Sequence, residues 1–360
     1  LTKKIGVLTS GGDCAGLNAA VRAIVYRAIE EYGWDIYGIT NGTTGLINRP
    51  LQYTKLTREM CDTAMLRSGG TRLGTTNKAN PFAFPTTDGA IDRSQEFIDG
   101  YRELGLNALI GIGGDGSLDI LKRLADKGGF DLVAIPKTID NDLGLTENAI
   151  GYSTAVEVAM VALDHLQPTA ASHQRVMILE VMGRDAGHIA MAAGIAGGAD
   201  VILVPEISYR IDNICAKIRS LADTQGRNFA LVIVAEAVRD ENGEPVVVSQ
   251  KFERIRYGGI GHYIGDKIAE RIGADVRVTS LGHIQRGGQP NALDRIIASA
   301  FGVHAVDLIA EGKTDRMVAW QNRRVVDVPI ADAIEGYQAL SVDDVLVTTA
   351  RGLGICLGDN

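Results

Sequence analysis

Lys4-Ile5-Gly6-Val7-Leu8-Thr9 is a short apolar run, and Ser10-Gly11-Gly12-Asp13 breaks it. Across residues 16–31 the apolar residues Leu17, Ala20, Val21, Ile24, Val25 and Ala28 then recur at helical spacing. A buried strand, a glycine turn and a helix in succession predict one step of a parallel βαβ unit. The same order returns along the chain. Ala108-Leu109-Ile110-Gly111-Ile112 predicts a strand and residues 117–127 a helix. Leu132-Val133-Ala134-Ile135 predicts another strand, and residues 151–166 a strongly amphipathic helix. Further strands are expected at residues 176–180, 201–204 and 230–234. Repetition of this kind predicts an α/β protein with mainly parallel sheets flanked by helices, in a three-layer, Rossmann-like arrangement. In such sheets ligands gather beyond the carboxyl ends of the strands.

A chain of 360 residues exceeds what one hydrophobic core usually serves, so two lobes are expected. The two lobes are placed at residues 1–150 plus about 285–335 and at residues about 151–284 plus 336–360. The 43 glycines exceed the ~7% of an average protein. Many sit between apolar runs, where backbone can approach a ligand. Aromatic residues are only 5%, which disfavours a base-stacking nucleic-acid surface. The net charge of −8 argues against general attraction to nucleic acid or anionic membrane, and a phosphate ligand would need a locally basic pocket. Cys14, Cys61, Cys215 and Cys356 are far apart and form no CxxC pair, which fits a reducing compartment. No apolar run approaches the roughly 18 residues of a membrane span, and Lys4–Thr9 is too short for a signal sequence. The expectation is a cytoplasmic protein without membrane or nucleic-acid partners.

Two glycine turns carry candidate chemistry. Adjacent glycines at Gly11 and Gly12 allow a sharp bend that presents N–H groups to an anion near a helix start, or serve chain reversal alone. Gly111-Ile112-Gly113-Gly114-Asp115-Gly116-Ser117 repeats the arrangement and adds a carboxylate suited to Mg2+ beside phosphates. Asp115 or Ser117 would alternatively cap the following helix. A third polar turn is Pro136-Lys137-Thr138-Ile139-Asp140-Asn141-Asp142. If this stretch is extended, its two acids share a face, and an aspartate can accept the proton of a sugar hydroxyl during phosphoryl transfer. A solvated Asx-turn is the bland alternative. The GGDG turn also resembles those of NAD kinases and diacylglycerol kinases, so it points to phosphoryl transfer without a substrate.

Taken together, TSGGD, GGDGS and PKTIDND resemble the 6-phosphofructokinase family. The resemblance continues through Ser172-His173-Gln174-Arg175, Glu180-Val181-Met182-Gly183-Arg184, Ala196-Gly197-Gly198 and Val204-Pro205-Glu206. It ends at Leu281-Gly282-His283-Ile284-Gln285-Arg286-Gly287-Gly288, with the last fifty residues matching less clearly. It implies ATP as co-substrate, Mg2+ and fructose 6-phosphate. Asp140 would be the general base, with Thr138 and the Gly12 N–H binding the transferred phosphoryl group and Arg184 neutralising charge. Asp115 and Asp142 would serve the metal. Gly12, Gly114, Asp115, Gly116, Ser117 and Lys137 would face the donor. Thr138, Asp140, Asp142, Arg175, Met182, Gly183, Arg184, Glu236, Arg277, His283 and Arg286 would form the sugar-phosphate site. Arg175 and Arg277 would come from a neighbouring subunit, which implies a homo-oligomer, a tetramer or dimer, with active sites at its interfaces.

Some positions depart from the pattern. Gly116 is similar to ATP-dependent members, where a missing side chain leaves room for the α-phosphate, whereas Lys137 is similar to pyrophosphate-dependent ones. Family members that combine the two resemble the ATP type, so ATP is the expected donor and pyrophosphate the alternative. Asn77 stands where the nucleotide-contacting loop usually has arginine, with Lys78 or Arg72 as possible compensation. Arg22 fits a bacterial effector pattern, but Tyr26 and Gln167 replace expected basic residues, so the effector site is not carried over and Arg22 reads rather as an exposed helix charge. A non-catalytic sugar-phosphate sensor is the alternative of another class, disfavoured because it needs no base at Asp140.

Overall fold

The computed structural model describes residues 2–251 and 254–359. They form two compact units. Leu1–Ile139, Leu143–Thr154 and Arg286–Tyr337 make the first; Asp140–Asp142, Ala155–Gln285 and Gln338–Asn360 make the second.

The first unit contains β1 (Lys4–Thr9), β2 (Asp35–Ile39), β3 (Tyr53–Leu56), the hairpin β4 (Phe84–Thr86) and β5 (Gly89–Ile91), β6 (Ala108–Gly113), β7 (Asp131–Thr138) and β8 (Ile150–Gly151). The second contains β9 (Val176–Val181), β10 (Val201–Leu203), β11 (Ala230–Ala235), the hairpin β12 (Val247–Lys251) and β13 (Arg254–Tyr257), and β14 (Val276–Ser280). The chain then returns to the first unit with β15 (Arg316–Gln321) and β16 (Arg324–Pro329).

The main sheet of the first unit runs β16-β15-β7-β6-β1-β2-β3, with β8 paired to β7. Its centre is parallel, and the outermost pairs β2–β3 and β15–β16 are antiparallel. The sheet of the second unit, β10-β11-β9-β14, is parallel throughout. The mainly parallel α/β architecture expected from the sequence is therefore present. Parallel strands covered by helices on both faces read as unbroken apolar runs, and every residue of β6, β9 and β11 is buried. Leu118, Leu121 and Leu124 of the helix Asp115–Gly128 join Leu8, Leu109 and Leu132 in one core, each contributing about 1.5–3 kcal/mol by burial.

Several local expectations need correction. The third strand runs over Asp131–Thr138, so Pro136, Lys137 and Thr138 are strand residues, not turn residues. The helix after β6 starts at Asp115 with Gly114 as its N-cap, so neither Asp115 nor Ser117 caps it. Asn141 has φ 54°, in the left-handed region, so Asp140-Asn141-Asp142 is not extended and the shared-face argument fails. The long helix is Tyr152–His173 and continues through Pro168, past the expected end.

Candidate active site

In the first unit, three strand ends meet at one edge. Thr9 of β1 lies opposite Ile112 of β6, and Gly113 of β6 opposite Pro136 of β7. The Ser10 N–H continues the ladder, donating to the Ile112 carbonyl at 2.9 Å. Gly11 then turns with φ 85°, and a Cβ there would lie 2.8 Å from Ser117 Oγ and 3.4 Å from Lys137 Nζ. Only glycine lets the three segments close on this point. Gly114 is equally tight against β7, since its Cβ would sit 3.3 Å from the Lys137 carbonyl oxygen.

The turn is braced by side chains from far along the chain. Lys137, only 4% exposed, donates through Nζ to the Gly12 carbonyl. Arg286 Nη1 donates to the Asp13 carbonyl at 3.2 Å, and a Cβ on Gly12 would come within 2.8 Å of the same nitrogen. Thr75 Oγ1 donates to the Gly11 carbonyl at 2.7 Å, and the Gly11 N–H donates to the Thr76 carbonyl at 3.0 Å. Two cations thus crowd a glycine turn on a chain of net charge −8, beside the start of the helix Asp115–Gly128. A turn, a helix N-terminus, a buried lysine and a half-buried arginine in one place suit a polyphosphate. Gly116 is exposed, and nothing lies within 4 Å of the place where its Cβ would be.

In the second unit a different strand-end cluster forms. Val181 of β9 pairs with Ala235 of β11, and Glu180 with Ser280 of β14. Directly beyond them come Met182, Gly183 and Arg184; Glu236; and the 3-10 turn Gly282–Arg286, which carries His283. Gly183 has φ 155° and Arg184 φ 51°. Glu236 Oε1 accepts from the Arg184 N–H at 3.1 Å and from the Gly183 N–H at 3.4 Å. Asp140 and Asp142 also belong to this unit; both are buried, and the Asp142 carbonyl accepts from the Gln338 N–H at 2.9 Å.

Arg175 and Arg277 lie elsewhere. Arg175 precedes β9 and Arg277 sits near the start of β14, opposite Met177. Both therefore occupy the amino ends of strands whose carboxyl ends carry Met182 and His283. The six residues of β9 separate the two ends by about 17 Å at ~3.3 Å per residue. Arg175 Nε pairs with Asp275 at 2.5 Å, and Arg277 Nη1 pairs with the same carboxylate. The hydrogen bond from Arg175 holds the Asp275 carboxyl below its usual range.

The Phosphofructokinase family profile matches residues 4–309. The chain belongs to the phosphofructokinase family. The ATP-dependent 6-phosphofructokinase 1 of Synechocystis sp. is 61% identical over 359 residues, covering 99% of both chains. The ATP-dependent 6-phosphofructokinase of Thermosynechococcus vestitus is 49% identical, covering 99% of this chain and 93% of its own. Among solved structures, phosphofructokinase from Saccharomyces cerevisiae superposes with a TM-score of 0.80 at 29% identity. That match covers 93% of this chain but 45% of the yeast chain. A pyrophosphate-dependent phosphofructokinase from Nitrosospira multiformis also reaches 0.80, at 21% identity over 94% of this chain and 86% of its own, which establishes a common fold only.

Within this phosphofructokinase fold the expected residues other than Asp140 and Asp142 divide into three groups. Gly12, Gly114, Asp115, Gly116, Ser117, Lys137 and Thr138 come together in the first unit. Arg286, expected with the sugar phosphate, stands against Gly12 and Asp13 in that same unit. Met182, Gly183, Arg184, Glu236 and His283 gather at the carboxyl edge of the second unit, and Arg175 and Arg277 at its amino edge. Thr75, Thr76 and Gln285 were not foreseen, because their roles rest on hydrogen bonds to residues 64 to 103 positions away. Arg72 is engaged elsewhere, donating through Nη1 to the Met60 carbonyl at 2.9 Å. Arg22 is not a freely exposed charge: its guanidinium lies 4.1 Å from the centre of the Tyr26 ring, which Arg58 also faces at 4.8 Å.

Proposed function

We infer that this chain phosphorylates the 1-hydroxyl of fructose 6-phosphate with ATP, giving fructose 1,6-bisphosphate and ADP, the committed phosphorylation of glycolysis. The observation that carries the reading is end-to-end identity of 61% with an ATP-dependent 6-phosphofructokinase. Open space at Gly116 supports the choice of donor, because an aspartate there would put charge and bulk beside a nucleotide.

The residue roles are those that membership of the phosphofructokinase family implies for the matching positions. A sugar hydroxyl is a weak nucleophile, and Asp140 accepts its proton as the new O–P bond forms and the bond to the leaving ADP breaks. The Gly12 N–H and Thr138 hold the transferring phosphoryl group, and Arg184 offsets its charge. Lys137 keeps the Gly11–Gly12 turn in shape through the Gly12 carbonyl, while Gly114, Gly116 and Ser117 border the donor. Arg286, Glu236, His283, Met182 and Gly183 bind the sugar phosphate.

The described residues contain no group of three or more His, Cys, Asp or Glu able to hold a metal. Mg2+ binds through one or two carboxylates and substrate phosphates and keeps several waters, so it does not need such a group. Asp115 and Asp142 are the residues proposed to hold it. When bound it neutralises charge on the donor phosphates. The position of Arg175 and Arg277 at the amino ends of β9 and β14 supports a homo-oligomer, dimer or tetramer, in which a neighbouring copy supplies them. No described helix is long and apolar enough to cross a membrane. Four free cysteines support a reducing, cytoplasmic setting.

Turnover of fructose 6-phosphate with ATP and with pyrophosphate at equal concentration, with Mg2+ present, tests the reading. Faster turnover with ATP is expected, and faster use of pyrophosphate overturns the donor. In the same assay Asp140→Ser lowers kcat by ~10²–10⁴-fold while sugar-phosphate binding persists. Unchanged turnover removes Asp140 from its role.

A further inference from the structure

Gln285 is the buried residue of the 3-10 turn Gly282–Arg286, only 1% exposed. If it served only to fill space, leucine or methionine would do so without desolvating an amide. Its Oε1 accepts from the Met182 N–H at 2.7 Å, whereas its buried Nε2 finds no hydrogen-bond partner among the described residues. An orphaned buried donor carries a cost, so the acceptor side of this amide must return something for it.

What it returns is visible at the end of β9. Met182 is the first residue beyond the strand. The Glu236 N–H has already taken the Val181 carbonyl at 2.9 Å, the last rung between β9 and β11. The next three N–H groups are then held by two side chains: Met182 by Gln285, and Gly183 and Arg184 by Glu236. They hold a backbone that does not hold itself, since Gly183 at φ 155° and Arg184 at φ 51° lie where side-chain-bearing residues rarely go. A left-handed arginine persists only where its surroundings over-determine it.

We propose that Gln285 is a positioning residue for sugar-phosphate recognition. Through the Met182 amide it fixes the turn at residues 182–184, and with it the direction in which the Arg184 side chain leaves the backbone. It acts through that turn and touches no substrate itself. The proposal rests on the reading, given above, that this turn binds fructose 6-phosphate.

Steady-state kinetics of Gln285→Leu and Gln285→Glu test it. Loss of one hydrogen bond to the turn raises the KM for fructose 6-phosphate about tenfold in Gln285→Leu, with the KM for ATP within about twofold of wild type. Gln285→Glu keeps an oxygen to accept the Met182 N–H and recovers most of the loss. An unchanged sugar-phosphate KM overturns the proposal, as does a parallel rise in both KM values. So does a glutamate variant as impaired as the leucine one. If Gln285→Leu does not fold, Gln285→Met, which also lacks the acceptor, gives the same comparison. Wild-type enzyme that fails to phosphorylate fructose 6-phosphate overturns the underlying function instead, so the two failures are told apart.

Discussion

Cys14 follows the Thr9–Asp13 turn, is wholly buried, and donates through Sγ to the Ile150 carbonyl at 3.3 Å. Burial pushes its thiol from the ordinary 9.0 up to about 12, although the nearby Lys137 ammonium acts the other way. The folded state therefore keeps this proton to higher pH than the unfolded chain does. Between those two values the folded state binds more protons, so stability falls as pH rises. The expected outcome is a melting temperature that declines above pH 9 more steeply in the wild type than in Cys14→Ala. Parallel slopes by calorimetry would show that the thiol carries no such linkage. The sequence exposed Cys14 only as a cysteine without a partner. Its depth beside the Thr9–Asp13 turn depends on Ile150 and Lys137, both more than a hundred residues on.

At the scale of elements, Glu180 shows how the second sheet anchors a helix. It is a buried carboxylate in β9, and it accepts from the Gly259 N–H at 3.1 Å, the Gly261 N–H at 2.8 Å and the Ser280 hydroxyl at 3.4 Å. Gly259 is the N-cap of the helix Ile260–Ile272, so the carboxylate meets both unpaired N–H groups and the positive end of the helix dipole. Glu180→Gln is expected to destabilise by about 1–3 kcal/mol and to speed amide exchange of Gly259 and Gly261. Exchange at wild-type rates would assign the capping to other groups. The strands that were legible in the sequence, β1, β6, β7, β9, β10 and β11, are rich in Val, Ile and Leu because such parallel strands are buried on both faces. β14, with the sequence VRVTS, was not legible: charged and hydroxyl residues interrupt it, and none of its five residues is buried. β2, β3, β15 and β16 escaped for a similar reason, being short or half-exposed strands towards the edges of their sheet. The helix Tyr152–His173 runs past its expected end at residue 166 and through Pro168, where Ser172 Oγ donating to the Pro168 carbonyl at 2.8 Å shows the spiral continuing.

For the molecule as a whole, the glycine turns and the PKTIDND and LGHIQRGG segments made the family legible, but they could not show which residues share an edge. Strand direction decides that: a parallel sheet sends everything after a strand to one edge and everything before it to the other. Arg175 and Arg277 fall on the edge away from Met182, Glu236 and His283, so the proposed recognition of sugar phosphate by these arginines would need a second copy of the chain. A subunit-mixing experiment tests this. Arg277→Ser chains keep the proposed base but lack the Arg277 guanidinium, while Asp140→Ser chains keep that guanidinium but lack the base. Each variant alone is expected to be nearly inactive at low sugar phosphate. Unfolded together and refolded at equal amounts, they form mixed oligomers in which a chain with an intact Asp140 meets a partner with an intact Arg277. Random pairing restores about a quarter of wild-type sites. Mixing without recovery, in oligomers shown by native mass spectrometry to contain both chains, would mean that each chain completes its own site, whereas full activity of Arg277→Ser alone would mean that Arg277 serves only Asp275.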